Sequence, residues 1–518
     1  MTSTRLALDV LGRLLALGVT DAVLAPGSRS GPIALVLHEA ERRGQVRLHV
    51  RVDEREAGFL ALGMAKVSRR PVPVVTTSGT AVANLHPAML EAQHAGVRLI
   101  AVTADRPGRL RGTGANQTTD QRRIFPGIAY AEHAADLKAV AAPQHLNVEL
   151  DEPLIDTTTG PVPSYPPVAA PSTDRRADRL RSGPRTVVVA GDDSPKAARR
   201  IAREGRWPLI AEPSSGARRG DQAMTAGRML LAHSALADQI QRVVSFGHPT
   251  LSREVTALLA RPGLEVVHVG GPRTFPTVPG PSVRFVRDVM VDGPGDFGWY
   301  ADWHEEDRRA IDAIEATLGP DDPQRVAQAV WDAVPPGGLL VVGSSSPIRD
   351  LDLVAAPHPA SQRRMVLANR GLAGIDGMLS TAIGAALARD STRNLAYMGD
   401  LTFLHGAGGL LAGVAERRPD LTVVVASDDG GSIFSLLEQG APEYADAFER
   451  VYATPTGSSI ADLCAAHGVA HHRVAVEGLA PVLAQAPTGI EVVEVPLDRF
   501  GRRDLEQRLS GAVRDALA

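Results

Sequence analysis

The sequence contains NLAYMGD at residues 394–400 and TVVVASDDGG at residues 422–431, two apolar segments that each end in acidic residues. Both segments have the length and composition of buried strands, and the sequence between them has room for a helix, so we predict a parallel strand-helix-strand unit. Its strand ends would bring Asp400 and Asp428 to one edge of a sheet. Two carboxylates suit Mg²⁺, which takes hard oxygen ligands and usually bridges to phosphate. The segments therefore predict a diphosphate cofactor held through a metal ion.

The same residues have a purely structural interpretation. Asp-Asp-Gly-Gly is favourable turn chemistry, and Gly-Asp after a strand is common. On this pair alone a turn is the simpler interpretation, and it is the rest of the chain that favours a metal site.

Length and composition fit a soluble protein of several domains. The chain has 518 residues, 44% of them hydrophobic, and a net charge of -4. Without a basic run, nucleic acid and membrane surfaces are not expected as partners. No apolar stretch reaches membrane-spanning length and the N-terminus lacks a signal-like apolar region, so a cytoplasmic location is expected. The single cysteine, Cys464, excludes an internal disulfide framework.

Alternating strand and helix patterns divide the chain into three parts. Residues 151–184 are rich in Pro, Thr, Ser and Arg, which predicts an extended connector after the first part. The fold class is predicted as α/β, with three doubly wound parallel-sheet domains. The predicted domains are 1–180 including the connector, 181–319 and 320–518.

Charged residues follow the predicted strands of the first part. A strand at residues 47–52 precedes Asp53, which is placed to cap a helix, and Glu54, which falls in its first turn. The helix dipole favours acids there, so Glu54 alone needs no catalytic role. Arg29 and Arg106 follow two other predicted strands, where parallel sheets bind ligands, and guanidinium groups suit carboxylates. The alternative is that both are solvated loop arginines.

Nine ordered motifs resemble those of the thiamine-diphosphate-dependent enzymes. They are Pro26-Gly-Ser-Arg-Ser30, Asp53-Glu-Arg55, Thr77-Ser-Gly-Thr-Ala81, Ala104-Asp-Arg-Pro107, Gly114-Ala-Asn-Gln117, Asn369-Arg-Gly371, Gly374-Ile-Asp-Gly377, Gly399-Asp400 and Asp428-Asp-Gly-Gly431. The resemblance covers both terminal domains and is weakest in the middle one. It implies a homodimer or homotetramer, with the cofactor between the first domain of one subunit and the third of another.

Within that family, the motifs look most like those of enzymes of menaquinone biosynthesis. These enzymes decarboxylate 2-oxoglutarate and add the remaining unit to isochorismate. Several substrate carboxylates would then enter one pocket, which explains the recurring arginines. The implied substrate contacts are Ser28, Arg29, Arg106, Gln117, Arg349 and Arg370. The sequence does not assign a carboxylate to each arginine.

The resemblance also implies roles around the cofactor. Glu54 would hydrogen-bond N1′ of the aminopyrimidine and so assist the cofactor's own base. Asp400, Asp428 and the Gly430 carbonyl would bind Mg²⁺, with Mn²⁺ as an alternative; the family usually has Asn where Asp428 stands. The further implied cofactor contacts are Ser345, Ile375, Ile433 and Phe434, of which Ile375 would support the bent cofactor.

Two other functions stay open at this point. One is another thiamine-diphosphate-dependent 2-oxoacid decarboxylase or carboligase, similar to acetolactate synthase. The other is a non-catalytic nucleotide-binding regulatory protein, suggested by Gly406-Ala-Gly-Gly409, although that run lacks the third glycine of a dinucleotide fingerprint. Loop arginines of the middle domain, Arg218, Arg219 and Arg273, could bind a regulator, but solvated surface is the favoured interpretation.

Overall fold

A computed structural model describes residues 2–156, 161–167, 177–270 and 283–518. The chain forms two compact units. The first consists of Met1–Thr173, Gly371–Asp390 and His405–Pro419, and the second of Asp174–Arg370, Ser391–Leu404 and Asp420–Ala518.

Strands and helices alternate along the chain. The strands of the described residues are β1 (Asp21–Leu24), β2 (Arg47–Val50), β3 (Val72–Thr76), β4 (Leu99–Asp105), β5 (Ala129–Ala131), β6 (Gln144–Glu149), β7 (Asp178–Arg181), β8 (Thr186–Ala190), β9 (Leu209–Ala211), β10 (Arg242–Phe246), β11 (Glu265–Val269), β12 (Val283–Val286), β13 (Val289–Asp292), β14 (Leu339–Val342), β15 (Met365–Leu367), β16 (Asn394–Gly399), β17 (Leu421–Ser427), β18 (Ala470–Arg473) and β19 (Ile490–Pro496). The α-helices are α1 (Ser3–Ala16), α2 (Gly31–Arg42), α3 (Glu54–Ser68), α4 (Thr80–Ala83), α5 (His86–Ala95), α6 (Ala197–Gly205), α7 (Gly227–His233), α8 (Ala235–Asp238), α9 (Arg253–Leu259), α10 (Phe297–Thr317), α11 (Pro323–Asp332), α12 (Ser346–Val354), α13 (Met378–Leu387), α14 (Asp400–His405), α15 (Ala445–Phe448), α16 (Ile460–Ala466), α17 (Val476–Leu483) and α18 (Arg502–Leu517).

The first unit is built on a six-stranded sheet with the order β2-β1-β3-β4-β6-β5, and its neighbouring strands are parallel. The strand order reverses between β1 and β3, which is where doubly wound sheets bind ligands. Helices α3 and α13 cross closely within this unit. A Cβ on Gly63 would lie 2.1 Å from the Thr381 carbonyl oxygen, and one on Gly384 would lie 2.1 Å from that of Leu60. The two glycines therefore permit the backbone contact that fixes α3.

The second unit contains two larger parallel sheets and one strand pair. The sheets have the orders β12-β11-β10-β8-β9 and β15-β14-β16-β17-β19-β18, and β13 pairs with β7. A continuous apolar core includes Trp299 and Trp303 of α10 together with Tyr397 of β16. The indole nitrogen of Trp299 donates to the Thr186 carbonyl at 3.0 Å, so the polar atom of this buried ring is satisfied.

The predicted strand-helix-strand unit is confirmed. Strands β16 and β17 are parallel neighbours, and Gly399 lies opposite Ala426 in their register. The α/β fold class with doubly wound parallel sheets is also confirmed. The domain limits at 180/181 and 319/320 stay predictions.

The predicted connector is too long at its C-terminal end. Residues Asp178–Arg181 form β7, which pairs with β13, because Leu180 is an apolar residue that the unit buries. Residues 157–160 and 168–176 of the connector lie outside the described residues. Within the described part of the chain, no helix has both the length and the apolar character needed to cross a membrane.

Candidate functional site

Four loops leave the same edge of the sheet in the first unit. Because β1, β2, β3 and β4 are parallel, the segments that follow them emerge together. These segments carry Arg29 after β1, Glu54 after β2, Ser78 after β3 and Arg106 after β4. The strand-end motifs of the first unit are thus brought to one edge, as predicted.

Arg29 and Arg106 lie close enough to repel each other. Arg29 is buried and donates to the Leu150 carbonyl at 3.0 Å, and burial followed by the Arg106 charge lowers its pKa. Arg106 donates to the Asn116 carbonyl at 2.7 Å. Carbonyl acceptors orient both guanidinium groups, and Arg29 also lies 3.7 Å from the exposed Glu152 carboxylate. One acid beside two guanidinium groups leaves the pair with a net positive charge for an anionic ligand.

Ser28 and Gln117 lie in exposed loops of the same unit. The Gln117 backbone has a φ of 51° and its carbonyl accepts from the Ser78 hydroxyl at 2.9 Å. A Cβ on Gly79, whose φ is +84°, would lie 3.5 Å from Gln117. The loop that carries Gln117 is therefore anchored on the loop after β3.

Glu54 begins α3, as predicted. The Asp53 carboxylate caps the helix by accepting from the backbone N–H groups of Arg55 at 2.8 Å and Glu56 at 3.1 Å. The Glu54 side chain is half-buried and accepts from the Asn84 amide at 3.3 Å. Within its own chain this carboxylate is still accessible to a ligand or a second subunit.

Sequence reasoning missed Glu56, two residues further along α3. Its carboxylate is buried, accepts from the Ser380 hydroxyl at 2.5 Å and lies 3.0 Å from the Arg55 guanidinium. Burial raises its pKa. A Cβ on Gly409 would lie 3.3 Å from the Glu56 carboxylate and 2.5 Å from the Ser380 hydroxyl. The nearest signal in the sequence is an acid on the inward face of an apolar helix.

In the second unit, Asp400 and Asp428 lie at the ends of the neighbouring strands β16 and β17. Asp400 is buried, and its carboxylate accepts from the backbone N–H of Leu401 at 2.6 Å and of Gly430 at 3.1 Å. Burial and the charge of Asp428 raise the pKa of Asp400 to about 7. Burial also raises the pKa of Asp428. Two acids held together in this way favour a bound cation.

The turn after Asp428 is shaped by close backbone contacts. The N–H of Gly431 donates to the Ala453 carbonyl at 2.7 Å, and a Cβ on Gly430 would lie 2.7 Å from the same oxygen. Asp429 accepts from the backbone N–H groups of Thr456 and Gly457 at 3.0 and 3.1 Å. Asp429 thus fastens the turn, while Asp428 remains beside Asp400.

The donor set fits a magnesium ion. Among the described residues there is no group of three or more His, Cys, Asp or Glu side chains that could hold a metal. The two carboxylates supply hard oxygens, and Mg²⁺ commonly takes one or two carboxylates and completes its shell with water and phosphate. This arrangement agrees with a site that is complete only when a phosphorylated ligand is bound.

Arg349 and Arg370 form a second pair of like charges in the second unit. Burial, followed by the charges of Arg370 and Arg228, lowers the pKa of Arg349. Arg370 is 3% exposed and donates through Nη2 to both the carbonyl oxygen and the hydroxyl of Thr250, at 3.0 and 3.1 Å. Among the described residues, no carboxylate forms an ion pair with Arg370, so its charge is available to an anion.

Sequence reasoning also missed the support behind Arg370. The Glu212 carboxyl is buried, and its Oε1 accepts from the backbone N–H groups of Thr250 and Leu251 at 2.8 and 2.9 Å. Burial raises the pKa of Glu212 to about 8, although the Arg370 charge opposes the rise. Glu212 therefore holds the loop that holds Arg370.

The remaining implied contacts are partly buried. Ser345, with a φ of 76°, precedes α12 and accepts from Arg349 Nη1 through its carbonyl at 3.0 Å. Ile433 and Phe434 lie in a short 3₁₀ segment after the turn at residues 428–431. Ile375 belongs to the first unit, where the preceding N–H groups of Gly371 and Leu372 donate to the Glu91 carboxylate at 2.8 and 2.7 Å.

Two of the alternatives require correction. Gly406-Ala-Gly-Gly409 follows α14 and leads into a 3₁₀ turn, so the run does not follow a strand as a nucleotide-binding loop would. Arg218 is not solvated, since it is 4% exposed and pairs with Asp352 at 3.1 Å. The acid compensates the buried charge and so permits the burial. Arg219 is half-buried, and Arg273 lies outside the described residues.

Two family models and several curated proteins match this chain. The family model described as "Thiamine pyrophosphate enzyme, N-terminal TPP binding domain" matches residues 4–124, and that described as "Thiamine pyrophosphate enzyme, C-terminal TPP binding domain" matches residues 351–495. The chain is 50% identical to the 2-succinyl-5-enolpyruvyl-6-hydroxy-3-cyclohexene-1-carboxylate synthase of Nocardioides sp., over 98% of this chain and 97% of that protein. Proteins of the same name are 45% identical in Kineococcus radiotolerans, over 100% of both chains, and 42% identical in Saccharopolyspora erythraea, over 99% of both.

Proposed function

The chain belongs to the thiamine-diphosphate-dependent enzymes, in the family of 2-succinyl-5-enolpyruvyl-6-hydroxy-3-cyclohexene-1-carboxylate synthases, and from this premise we propose the reaction that it catalyses. The enzyme decarboxylates 2-oxoglutarate and adds the remaining four-carbon unit to isochorismate, which gives the product in the family name and CO₂. The observation that carries this proposal is the match to enzymes of that name over the full length of the chain. The reaction belongs to menaquinone biosynthesis.

Thiamine diphosphate, when bound, supplies the carbanion that attacks the keto carbon of the oxoacid. The chain's own residues would prepare that chemistry. Glu54 is proposed to form a hydrogen bond with N1′ of the aminopyrimidine, and its accessible carboxylate at the start of α3 supports this role. Buried among cofactor and protein atoms, the acid would control the proton at N1′.

Asp400, Asp428 and the Gly430 carbonyl are proposed as ligands of Mg²⁺, with Mn²⁺ as the alternative ion. The mutual repulsion of the two acids and their position at adjacent strand ends support this site. Ser345, Ile433 and Phe434 come from the same unit and would line the cofactor pocket. Ile375 would support the bent cofactor.

The two arginine pairs are proposed to bind the substrate carboxylates. Arg29 with Arg106, and Arg349 with Arg370, are each held by carbonyl or hydroxyl acceptors. Among the described residues, the 3.7 Å contact of Arg29 with the exposed Glu152 is the one ion pair that these arginines make. Both substrates carry several carboxylates, which would supply the missing negative charge. Ser28 and Gln117 are proposed as further polar contacts of the substrates.

A homodimer or homotetramer is proposed as the active form. The accessible Glu54 carboxylate supports an active site completed by a second subunit. Gel filtration with light scattering would give the subunit number. A cytoplasmic location is likewise proposed.

The test is an assay of the purified protein with Mg²⁺, thiamine diphosphate, 2-oxoglutarate and isochorismate, following isochorismate loss and CO₂ release, beside Glu54→Gln. Asp53→Asn is the matched control, because Asn also caps helices. The proposal is supported if both substrates are consumed only when the cofactor is present. The rate of consumption should then fall by at least about 100-fold in Glu54→Gln. CO₂ release without isochorismate loss would instead identify another oxoacid decarboxylase or carboligase.

A further inference from the structure

Two arginines of the second unit have buried guanidinium atoms without hydrogen-bond partners. Arg199 lies on α6, and Arg219 lies in a short bridge with His358. In each side chain both Nε and Nη1 are buried and have no hydrogen-bond acceptor in the described part of the chain. Buried polar groups are nearly always hydrogen-bonded, so four unsatisfied nitrogens on two neighbouring cations call for a partner.

This situation distinguishes Arg199 and Arg219 from the other arginines that have an unsatisfied buried nitrogen. Arg29, Arg106 and Arg370, for example, all make other side-chain hydrogen bonds. Within the described residues, the side chains of Arg199 and Arg219 make neither a hydrogen bond nor an ion pair. Their unsatisfied nitrogens therefore cannot be explained as the leftover groups of side chains that are already hydrogen-bonded.

The surrounding charges are also positive. Burial and the charges of Arg199 and Arg363 lower the pKa of Arg219 to about 10. Burial, followed by the charges of Arg363 and Arg203, lowers the pKa of Arg199. No acid contributes to either shift, so the cluster has no counter-charge among the residues that the structure describes.

Adjacent arginines show that the chain does supply acids where it needs them. Arg200, next to Arg199 on α6, pairs with Glu204 at 3.0 Å. Arg218, next to Arg219, pairs with Asp352 at 3.1 Å. Each neighbouring arginine thus has its own acid, whereas Arg199 and Arg219 form no ion pair with any described residue.

The backbone beneath the cluster is well anchored. The N–H of Gly220 donates to the His358 carbonyl at 2.8 Å, and the His358 ring stacks on Trp331 with the ring centroids 4.5 Å apart. On α6, Ala198 and Ile201 are fully buried. The two guanidinium groups thus project from fixed elements, which lowers the entropic cost of binding a ligand.

We propose that Arg199, Arg219 and Arg363 form a binding site for a small multivalent anion of phosphate or polycarboxylate chemistry. Three positive charges without a counter-charge require more than one negative charge, and guanidinium forks match planar or tetrahedral oxyanions. The half-buried position of Arg199 and Arg219 favours a small ligand. The site is separate in its residues from Arg349 and Arg370, and the proposal does not depend on the reaction that the enzyme catalyses.

The test uses the holoenzyme with saturating thiamine diphosphate and Mg²⁺, so that the diphosphate site is filled. Thermal unfolding is followed in low-salt buffer with added inorganic phosphate, with tricarballylate, or with KCl at equal ionic strength. The double variant Arg199→Gln/Arg219→Gln is compared with Arg200→Gln, a matched control on the same helix. Equilibrium dialysis with labelled phosphate then counts the sites.

Phosphate or tricarballylate is expected to raise the melting temperature of the native enzyme and of Arg200→Gln by about 2–4 °C beyond KCl. The double variant should lose this increase and bind one phosphate fewer per chain. Which anion acts more strongly identifies its source as phosphate or carboxylate chemistry. An equal effect of KCl, or a full response in the double variant, would overturn the proposal. If the double variant does not fold, the exposed Arg363→Gln takes its place under the same criteria.

Discussion

Replacing Glu212 by glutamine is expected to stabilise the second unit, increasingly so as pH rises from about 5 to 8. The Glu212 carboxyl is buried and has a pKa of about 8, against an ordinary value of 4.5. Between these values the folded protein keeps a proton that the unfolded chain releases. Native stability therefore falls with rising pH over this range, and glutamine, which does not titrate, removes that fall.

The size of the effect follows from the pKa change. A rise from 4.5 to about 8 corresponds to at most about 5 kcal/mol, because each pH unit contributes about 1.4 kcal/mol. Relaxation and water entry reduce such penalties, so we expect about 2–3 kcal/mol at pH 8 and little difference at pH 4.5. In Glu212→Gln the new side-chain carbonyl can still accept from the N–H groups of Thr250 and Leu251, as Oε1 of Glu212 does.

Urea unfolding followed by tryptophan fluorescence measures this difference. All four tryptophans, Trp207, Trp299, Trp303 and Trp331, are buried residues of the second unit, so the signal reports the unit that contains Glu212. Midpoints are compared at pH 5, 7 and 8.5 for the native protein, Glu212→Gln and the exposed control Glu443→Gln. Parallel midpoints for native protein and Glu212→Gln at all three pH values would refute the reasoning.

Three further substitutions test the site. Arg370→Lys keeps the charge but loses the planar fork, so KM for the substrates should rise about tenfold or more. The dissociation constant of thiamine diphosphate, measured by fluorescence titration, should change by less than about twofold. An equal loss of cofactor affinity would count against the assignment of Arg370 to the substrates. Asp428→Asn keeps an oxygen ligand and removes one of two repelling charges, so the enzyme should stay active. The Mg²⁺ concentration that gives half of the maximal activity should shift by up to about tenfold. A variant that is active without a metal ion would contradict the assignment. Gly430→Ala would place a Cβ 2.7 Å from the Ala453 carbonyl oxygen, so metal-dependent activity should be lost, whereas the control Gly478→Ala, with its nearest contact at 3.5 Å, should remain active.

The meeting of Asp400 and Asp428 at one sheet edge was predictable because its signals are local. The apolar runs before Asp400 and Asp428 give strands, and parallel neighbours necessarily end at the same edge. The start of α3 was predictable for the same reason. The Asp53 carboxylate accepts from the backbone N–H groups two and three residues further along the chain. The resemblance to a known family then supplied roles that these patterns alone do not give.

The support behind the site was not predictable, because it joins residues far apart in the sequence. Ser380 reaches Glu56 across 324 positions, and Glu212 holds a loop 38 positions away. Whether an acid in an apolar helix is buried depends on which helix packs over it, and neither periodicity nor capping gives that information. The connector ends earlier than predicted for the same reason. Its last residues form β7, and that strand pairs with β13, which is distant in the sequence.

The charges left uncompensated show how binding and stability are linked in this enzyme. Arg29 and Arg106 repel each other within the first unit, and Arg349 and Arg370 do so within the second. Each pair is oriented by carbonyl or hydroxyl oxygens that satisfy hydrogen bonds without supplying a full negative charge. Apart from the 3.7 Å contact of Arg29 with the exposed Glu152, the described residues place no acid within ion-pair distance of these arginines, whereas Arg218 pairs with Asp352 at 3.1 Å. If these arginines bind the substrate carboxylates as proposed, a built-in acid would compete with the substrate, and the shortage of acids would favour binding at the expense of the ligand-free protein's stability.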